Sequence, residues 1–347
     1  MFVVLRNGCS PAERNRVVEA IEDAGLSVHV SEGHHRVVMS IVGDEDRLRD
    51  VPLDSFPGVE KVVPLRRPYR LAARESRACD TVVQVGEASR VAIGGEQLTI
   101  IAGPCAIEKE ESFLEAAITA RDAGAHILRG GAFKPRTSPY NFQGLGENGL
   151  RILRNCGQEV GLPVVTEAMD TRHVEMVARY ADMIQIGTRN MQNFPLLEEA
   201  AETGKPILLK RGRAATVTEW LCAAEYILNA GNGRVVLCER GVLSHDPAVR
   251  NLLDLSCVPL VRRLSHLPII IDPSHGTGRR ELVPAMARAG VAAGAHGVMM
   301  EMHPHPDRAL SDAGQALLPS ELEAILPVLH AIHELLATNS WQSRANS

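Results

Sequence analysis

From residue 98 onward the chain alternates eight times between a short apolar, β-prone run and a longer segment with helical spacing. The runs lie at 98–102, 126–128, 163–166, 182–186, 206–209, 235–237, 268–271 and 297–300. Ala, Leu, Glu and Arg recur at 3.6-residue spacing in most of the segments that follow, as at 111–123, 216–229 and 282–289. Eight such repeats over roughly 250 residues predict an α/β fold of the closed (β/α)8 barrel type. An open doubly wound sheet is the alternative, but no Gly-x-Gly-x-x-Gly follows a strand.

The first 70 residues have a different grain. Strand, helix, strand, strand, helix and strand are expected at 2–6, 10–24, 26–30, 34–42, 45–51 and 58–63. Ser10 and Glu13 have the spacing of a capping box, and Gly25 stops the helix. The order βαββαβ is that of a ferredoxin-like domain. Residues 71–80 read as a charged, weakly patterned linker. A hairpin at 82–85 and 90–93 then plugs or opens the barrel domain, 81–336, and 337–347 form a short polar tail.

Composition narrows the function. The 347 residues carry 37 Lys+Arg against 42 Asp+Glu, a net charge of -5, which leaves no basic excess for a nucleic-acid backbone or an anionic membrane. No run reaches the ~18 apolar residues needed to span a bilayer, and the N-terminus lacks a basic region and cleavage site. Seven cysteines without close pairing fit a reducing compartment, so a cytoplasmic protein is expected.

Polar clusters follow the apolar runs. They include 103–108, 129–137, Glu167, 187–190, 210–212, 239–241, 272–276 and 301–304. In a β/α barrel the C-terminal strand ends surround one mouth, so these clusters should converge. Arg129, Lys134, Arg136, Arg189, Lys210, Arg211 and Arg240 all lie just past strand ends, and a mouth lined this way suits a multiply charged anion. Cys105, His275, Glu301 and Asp312 offer a thiolate, an imidazole and two carboxylates, a donor set suited to Mn, Fe, Co or Zn. Their spacing is non-local, and His303 and His305 are rival ligands by composition.

At these clusters the sequence resembles a known family. The motifs are Gly-Pro-Cys-Ala-Ile-Glu at 103–108, Arg-Gly-Gly-Ala-Phe-Lys-Pro-Arg-Thr-Ser-Pro at 129–139 and Arg-Asn-Met-Gln-Asn at 189–193. With them come Leu-Lys-Arg-Gly at 209–212, Cys-Glu-Arg-Gly at 238–241, Asp-Pro-Ser-His-Gly-Thr-Gly at 272–278, and Glu-Met-His-Pro at 301–304 with Leu-Ser-Asp at 310–312. Together they resemble 3-deoxy-D-arabino-heptulosonate 7-phosphate (DAHP) synthase, type I, with an N-terminal ferredoxin-like domain, over residues 1 to about 336.

The resemblance implies condensation of phosphoenolpyruvate with erythrose 4-phosphate, releasing phosphate, at the entry to the shikimate pathway. It carries a divalent metal onto Cys105, His275, Glu301 and Asp312, and phosphoenolpyruvate onto Arg129, Lys134, Arg189, Lys210 and Arg240. Erythrose 4-phosphate falls to Lys134, Pro135, Arg136 and Thr137, with Asp312, while Lys134, His275 and Cys105 are the candidate catalytic groups. Thr188 departs from the usual Ala. The sister reaction with arabinose 5-phosphate, by 3-deoxy-D-manno-octulosonate 8-phosphate synthase, is the rival, and the Lys-Pro-Arg-Thr loop argues against it. A catalytically silent amino-acid sensor is a second alternative. The resemblance further implies a homotetramer and feedback inhibition by Tyr or Phe through the small domain, where His29 and Ser31 are the candidate effector residues.

Overall fold

A computed structural model describes residues 1–32, 37–43, 45–48, 51–63, 68–77, 79–87, 90–136 and 138–338. The chain divides into two compact units, Met1–Pro68 and Tyr69–Ser347.

In the first unit, strands β1 (Phe2–Leu5), β2 (Ser27–Glu32), β3 (Val37–Val42) and β4 (Val59–Val63) form an antiparallel sheet in the order β2-β3-β1-β4. Helix α1 (Pro11–Asp23) starts with both halves of the capping box, the Ser10 side chain accepting from the Glu13 N–H and the Glu13 carboxylate accepting from the Ser10 N–H. Val17 and Ile21 of α1 pack with Val3, Leu5, Met39 and Ile41 in the unit's own core. The helix expected at 45–51 is instead a 3-10 turn, Glu45–Leu48, with a second such turn at Leu53–Ser55. Residues 49 and 50 lie outside the described residues, and Pro52 disfavours the α conformation at Val51. His29 and Ser31 lie on β2, an edge strand, opposite Ser40 and Val38 of β3.

The second unit begins without the expected slack. The backbone N–H groups of Arg70, Leu71 and Ala72 each donate to the Glu225 carboxylate at 2.8 Å, and Tyr69 and Ala72 are buried. The weak pattern that suggests a linker reflects a segment ordered by backbone bonds. A hairpin follows, β5 (Val83–Val85) and β6 (Val91–Ile93).

Eight parallel strands then close a barrel: β7 (Thr99–Gly103), β8 (Ile127–Arg129), β9 (Val164–Ala168), β10 (Met183–Ile186), β11 (Ile207–Lys210), β12 (Val235–Glu239), β13 (Ile269–Ile271) and β14 (Gly297–Glu301). Helices α2 (Glu110–Ala123), α3 (Glu147–Val160), α4 (Thr171–Tyr180), α5 (Phe194–Glu202) and α6 (Val217–Asn229) follow the first five strands in turn. After them come α7 (Cys257–Leu264), α8 (Pro273–Thr277), α9 (Val283–Ala292) and α10 (Pro319–Thr338). Gly144, Gly146 and Gly149 do carry dinucleotide-loop spacing at the start of α3, but a long loop, not a strand, precedes them.

The two faces of each barrel strand have separate partners. Ile100, Leu128, Val164, Ile184, Ile207, Val235, Ile269 and Val298 pack outward in the cluster that includes the helices. Ile101, Ile127, Val165, Met183, Leu208, Val236, Ile270 and Met299 form an inner hydrocarbon layer with Val83, Val85 and Ile93 of the hairpin, which plugs the barrel floor.

Candidate active site

Side chains on a strand alternate between faces, so the residue two places beyond each inner apolar one also points inward. There the chemistry changes at once. Ile127 is followed by Arg129, Val165 by Glu167, Met183 by Gln185, Leu208 by Lys210, Ile270 by Asp272 and Met299 by Glu301, while β12 reaches Arg240 after Cys238. Arg129, Lys210, Arg240, Asp272 and Glu301 are all buried. Gly103 ends β7 with φ 147°, and a Cβ there would stand 2.3 Å from the Arg129 carbonyl oxygen, so glycine lets these two strand ends close up.

Buried charges of this number must be paired or await a ligand. Asp272, fully buried, accepts from Lys210 Nζ at 2.6 Å and from His275 Nδ1 at 2.7 Å through the same oxygen, Oδ2. Burial opposes its ionisation, but His275 and Lys210 hold the carboxyl well below the usual range. His275 is pushed below its ordinary value by burial, which outweighs Asp272 and Glu301, and its Nδ1 donates to the Asp272 carboxylate. Arg129 Nη1 donates to Glu301 Oε1 at 2.9 Å, and Gln315 Nε2 to Glu301 Oε2 at 2.6 Å. Arg240 is the exception. It is 4% exposed, has no ion pair among the described residues, and is pushed below its ordinary value by burial.

Cys105, Glu301 and Asp312 bring a thiol and two carboxylates together, their ligand atoms all within 4.8 Å of one another. His275 Nε2 lies 3.3 Å from Glu301 Oε1 at the edge of this group. Burial and the charge of Glu301 push the Cys105 thiol up to about 12. The Asp312 carboxyl is held at about 2, its burial outweighed by the bond from Cys105 Sγ (3.0 Å) and by His275 and Arg250. Asp312 has φ 53°, the only positive value outside glycine among the described residues, so the carboxylate is delivered by a left-handed backbone. A divalent cation fits this set, since it would offset both carboxylates and draw the thiolate out. His303 and His305 stand apart: His303 Nδ1 accepts from the His305 N–H, and His305 faces Glu115 at 3.7 Å.

Lys134 Nζ donates to Cys105 Sγ at 2.8 Å and to the Cys105 carbonyl at 3.0 Å. Burial would lower its pKa, but Cys105 and Glu301 raise it above the ordinary value, so it stays an ammonium. Arg136 is steadied by the Phe142 carbonyl at 3.1 Å; Thr137 lies outside the described residues. Around these groups runs a cavity of about 220 Å³, lined by Arg129, Lys134, Pro135, Arg136, Arg189, Lys210, Arg240, His275 and Asp312. Arg250, Asn141, Glu167, Gln185 and Thr188 line it too. The buried Thr188 hydroxyl has no hydrogen-bond partner among the described residues.

Two features depart from the expectation. Arg211 does not line the mouth; its guanidinium turns outward to Glu239 (3.0 Å) and Asp254 (2.9 Å), the opposite parity from Lys210. Arg250, in the loop after β12, enters the cavity and bonds Gln315 at 2.9 Å, and no strand-end signal in the sequence marks it.

Residues 80–338 match the DAHP synthetase I family, and residues 1–67 match the DAHP synthase ferredoxin-like domain. The chain belongs to the DAHP synthetase I family. It is 48% identical over 317 residues to the phospho-2-dehydro-3-deoxyheptonate aldolase of Thermotoga maritima, covering 91% of this chain and 93% of that one. The solved structure of that DAHP synthase superposes with a TM-score of 0.76 at 45% identity, over 96% of this chain and 97% of the other. A 2-dehydro-3-deoxyphosphooctonate aldolase from Acidithiobacillus ferrooxidans is more distant, 32% identical over 70% of this chain and 92% of its own. No helix among the described residues of this DAHP synthetase I family member is long and apolar enough to cross a membrane.

Proposed function

We propose that the chain condenses phosphoenolpyruvate with erythrose 4-phosphate to 3-deoxy-D-arabino-heptulosonate 7-phosphate and phosphate, the first step of the shikimate pathway, in a metal-dependent reaction. The observation that carries the reading is Arg240, buried and without an ion pair among the described residues, on a cavity wall that also holds Arg129, Arg189 and Lys210. A small ligand with both a carboxylate and a phosphate matches such a wall, because Arg forks bind these oxygens bidentately and Lys adds a point charge. Arg136 and Pro135, with Thr137, are the groups for the phosphate of the aldose.

Cys105, His275, Glu301 and Asp312 would hold the metal, and a bound Mn, Fe, Co or Zn ion supplies Lewis acidity for the aldehyde oxygen. The chain's own part is to orient and to move protons. The cations fix the enol phosphate so that its C3 approaches the aldehyde carbon; as the C3–C bond forms, water adds at the electron-poor C2, the C2–O bond to phosphate breaks to leave the keto group, and the cations stabilise the charge on the departing phosphate. Lys134, held as an ammonium next to Cys105, is placed to donate its proton to the aldehyde oxygen as that oxygen becomes an alcohol.

The small unit is the regulatory part, inhibited by Tyr or Phe at the β2 edge near His29 and Ser31, and the enzyme works as a cytoplasmic homotetramer. Support for the regulatory role is the place of β2 at the edge of the four-stranded sheet among the described residues, where a second copy can add a strand.

The deciding test follows phosphate release from phosphoenolpyruvate by metal-stripped protein, with and without Mn²⁺, offering erythrose 4-phosphate and arabinose 5-phosphate in parallel. Metal-dependent turnover with the four-carbon sugar alone is expected. Turnover with the five-carbon sugar alone would overturn the substrate assignment, and none with either sugar would favour a non-catalytic sensor.

A further inference from the structure

The centre holds a carboxylate to which the chemistry above assigns no step. Asp272 sits one residue past β13, is 0% exposed, and faces the cavity only through its two partners. Its Oδ1 accepts from the backbone N–H of His275 at 3.0 Å, fixing the first turn of α8. Its Oδ2 is shared, with Lys210 Nζ at 2.6 Å and His275 Nδ1 at 2.7 Å. One oxygen thus touches a group on the anion-binding wall and a group on the metal-ligand cluster. The turn at α8 is tied to the cluster a second way, since Ser274 Oγ accepts from the Glu301 N–H at 2.9 Å.

We infer that Asp272 is a positioning residue that couples the divalent-cation half of the site to the phosphoenolpyruvate half. This rests on the proposed function. With Nδ1–H committed to Asp272, the His275 tautomer is fixed and the lone pair of Nε2 faces Glu301 and the ligand cluster. When His275 gives that lone pair to a cation, its Nδ1–H becomes a stronger donor and draws more of the charge on Oδ2. Lys210 is then held less tightly by Asp272 and turns more of its charge toward an anion in the cavity. The two ligands therefore favour each other, and by linkage the effect is reciprocal.

The experiment measures binding, not turnover. Mn²⁺ affinity is read by titration calorimetry on the full chain. Phosphoenolpyruvate affinity is read with and without saturating Mn²⁺, and inorganic phosphate serves as a second anion. For Asp272→Asn, Mn²⁺ affinity should fall by roughly 10- to 100-fold. Coupling of the order of tenfold in the wild type should shrink to about twofold or less in the variant. Equal coupling in both proteins, or unchanged Mn²⁺ affinity, overturns the inference. If circular dichroism shows that Asp272→Asn does not fold, Lys210→Met removes the other occupant of Oδ2 and should lose the coupling as well; coupling retained there is equally fatal. Wild-type protein that binds Mn²⁺ and inorganic phosphate but not phosphoenolpyruvate would refute the substrate reading, and the phosphate titration would still decide the role of Asp272.

Discussion

At the residue scale, neighbours in sequence do opposite jobs. Lys210 and Arg211 are adjacent cations, yet one faces the cavity and the other is locked to Glu239 and Asp254 behind it. Composition at strand ends makes both legible as candidates. Choosing between them needs the strand register, because a one-residue slip exchanges the two faces. Arg240→Ala should raise the KM for phosphoenolpyruvate by roughly 10- to 100-fold, the loss expected for charge-assisted bonds to a buried anion. An unchanged KM in steady-state kinetics would remove Arg240 from the substrate wall. Lys134→Met should keep the fold and the Mn²⁺ affinity while kcat drops by about 10²- to 10⁴-fold. Near-normal turnover would end the proton-donor role. Asp272 and Arg250 show the limit of a linear reading: the first is visible as part of a motif but its double partnership is not, and the second arrives from a loop far from any strand end.

At the scale of elements, hydrophobic runs gave the eight barrel strands because each is buried on both sides and so carries little but hydrocarbon. In the small unit the described part of the expected second helix, Glu45–Leu48, is a 3-10 turn, and Pro52 keeps Val51 out of the α conformation. The segment at 70–72 was unreadable for another reason: its partner, Glu225, lies on α6, more than one hundred and fifty residues away. The hairpin gives an element-level prediction. Ile93 is 0% exposed at the barrel floor, so Ile93→Ala should cost about 2–5 kcal/mol in denaturant unfolding, with wild-type KM values for both substrates. A large rise in either KM would mean that the plug shapes the mouth as well as the floor.

For the whole molecule, histidines set the response to acid. His126, His266 and His296 are all pushed below their ordinary value, chiefly by burial, and His296 falls to about 4. An unfolded imidazole takes its proton near pH 6.5. Between about 6.5 and 4 the unfolded imidazoles therefore bind more protons than the folded ones, so stability declines as pH drops through that window, and the depressed carboxyls of Asp272 and Asp312 carry the decline on below it. Tm followed from pH 7.5 to pH 4 should fall, and a flat profile would show that these imidazoles are solvated in the fold. Deleting residues 1–68, the whole first unit, should leave condensation intact and abolish inhibition by Tyr and Phe; persistent inhibition of the truncated protein would place the effector on the barrel.

The switch from hydrocarbon to charge within two residues on the same inner face has a consequence for engineering and for inheritance. Along the chain, stability and chemistry are interleaved in every repeat, but along the barrel axis they occupy separate storeys. Exchanging the lower storey as a set with that of a relative should move the melting curve and leave the chemistry alone. A lineage can thus retune heat tolerance and substrate choice independently, by drawing on different rungs of the same eight strands.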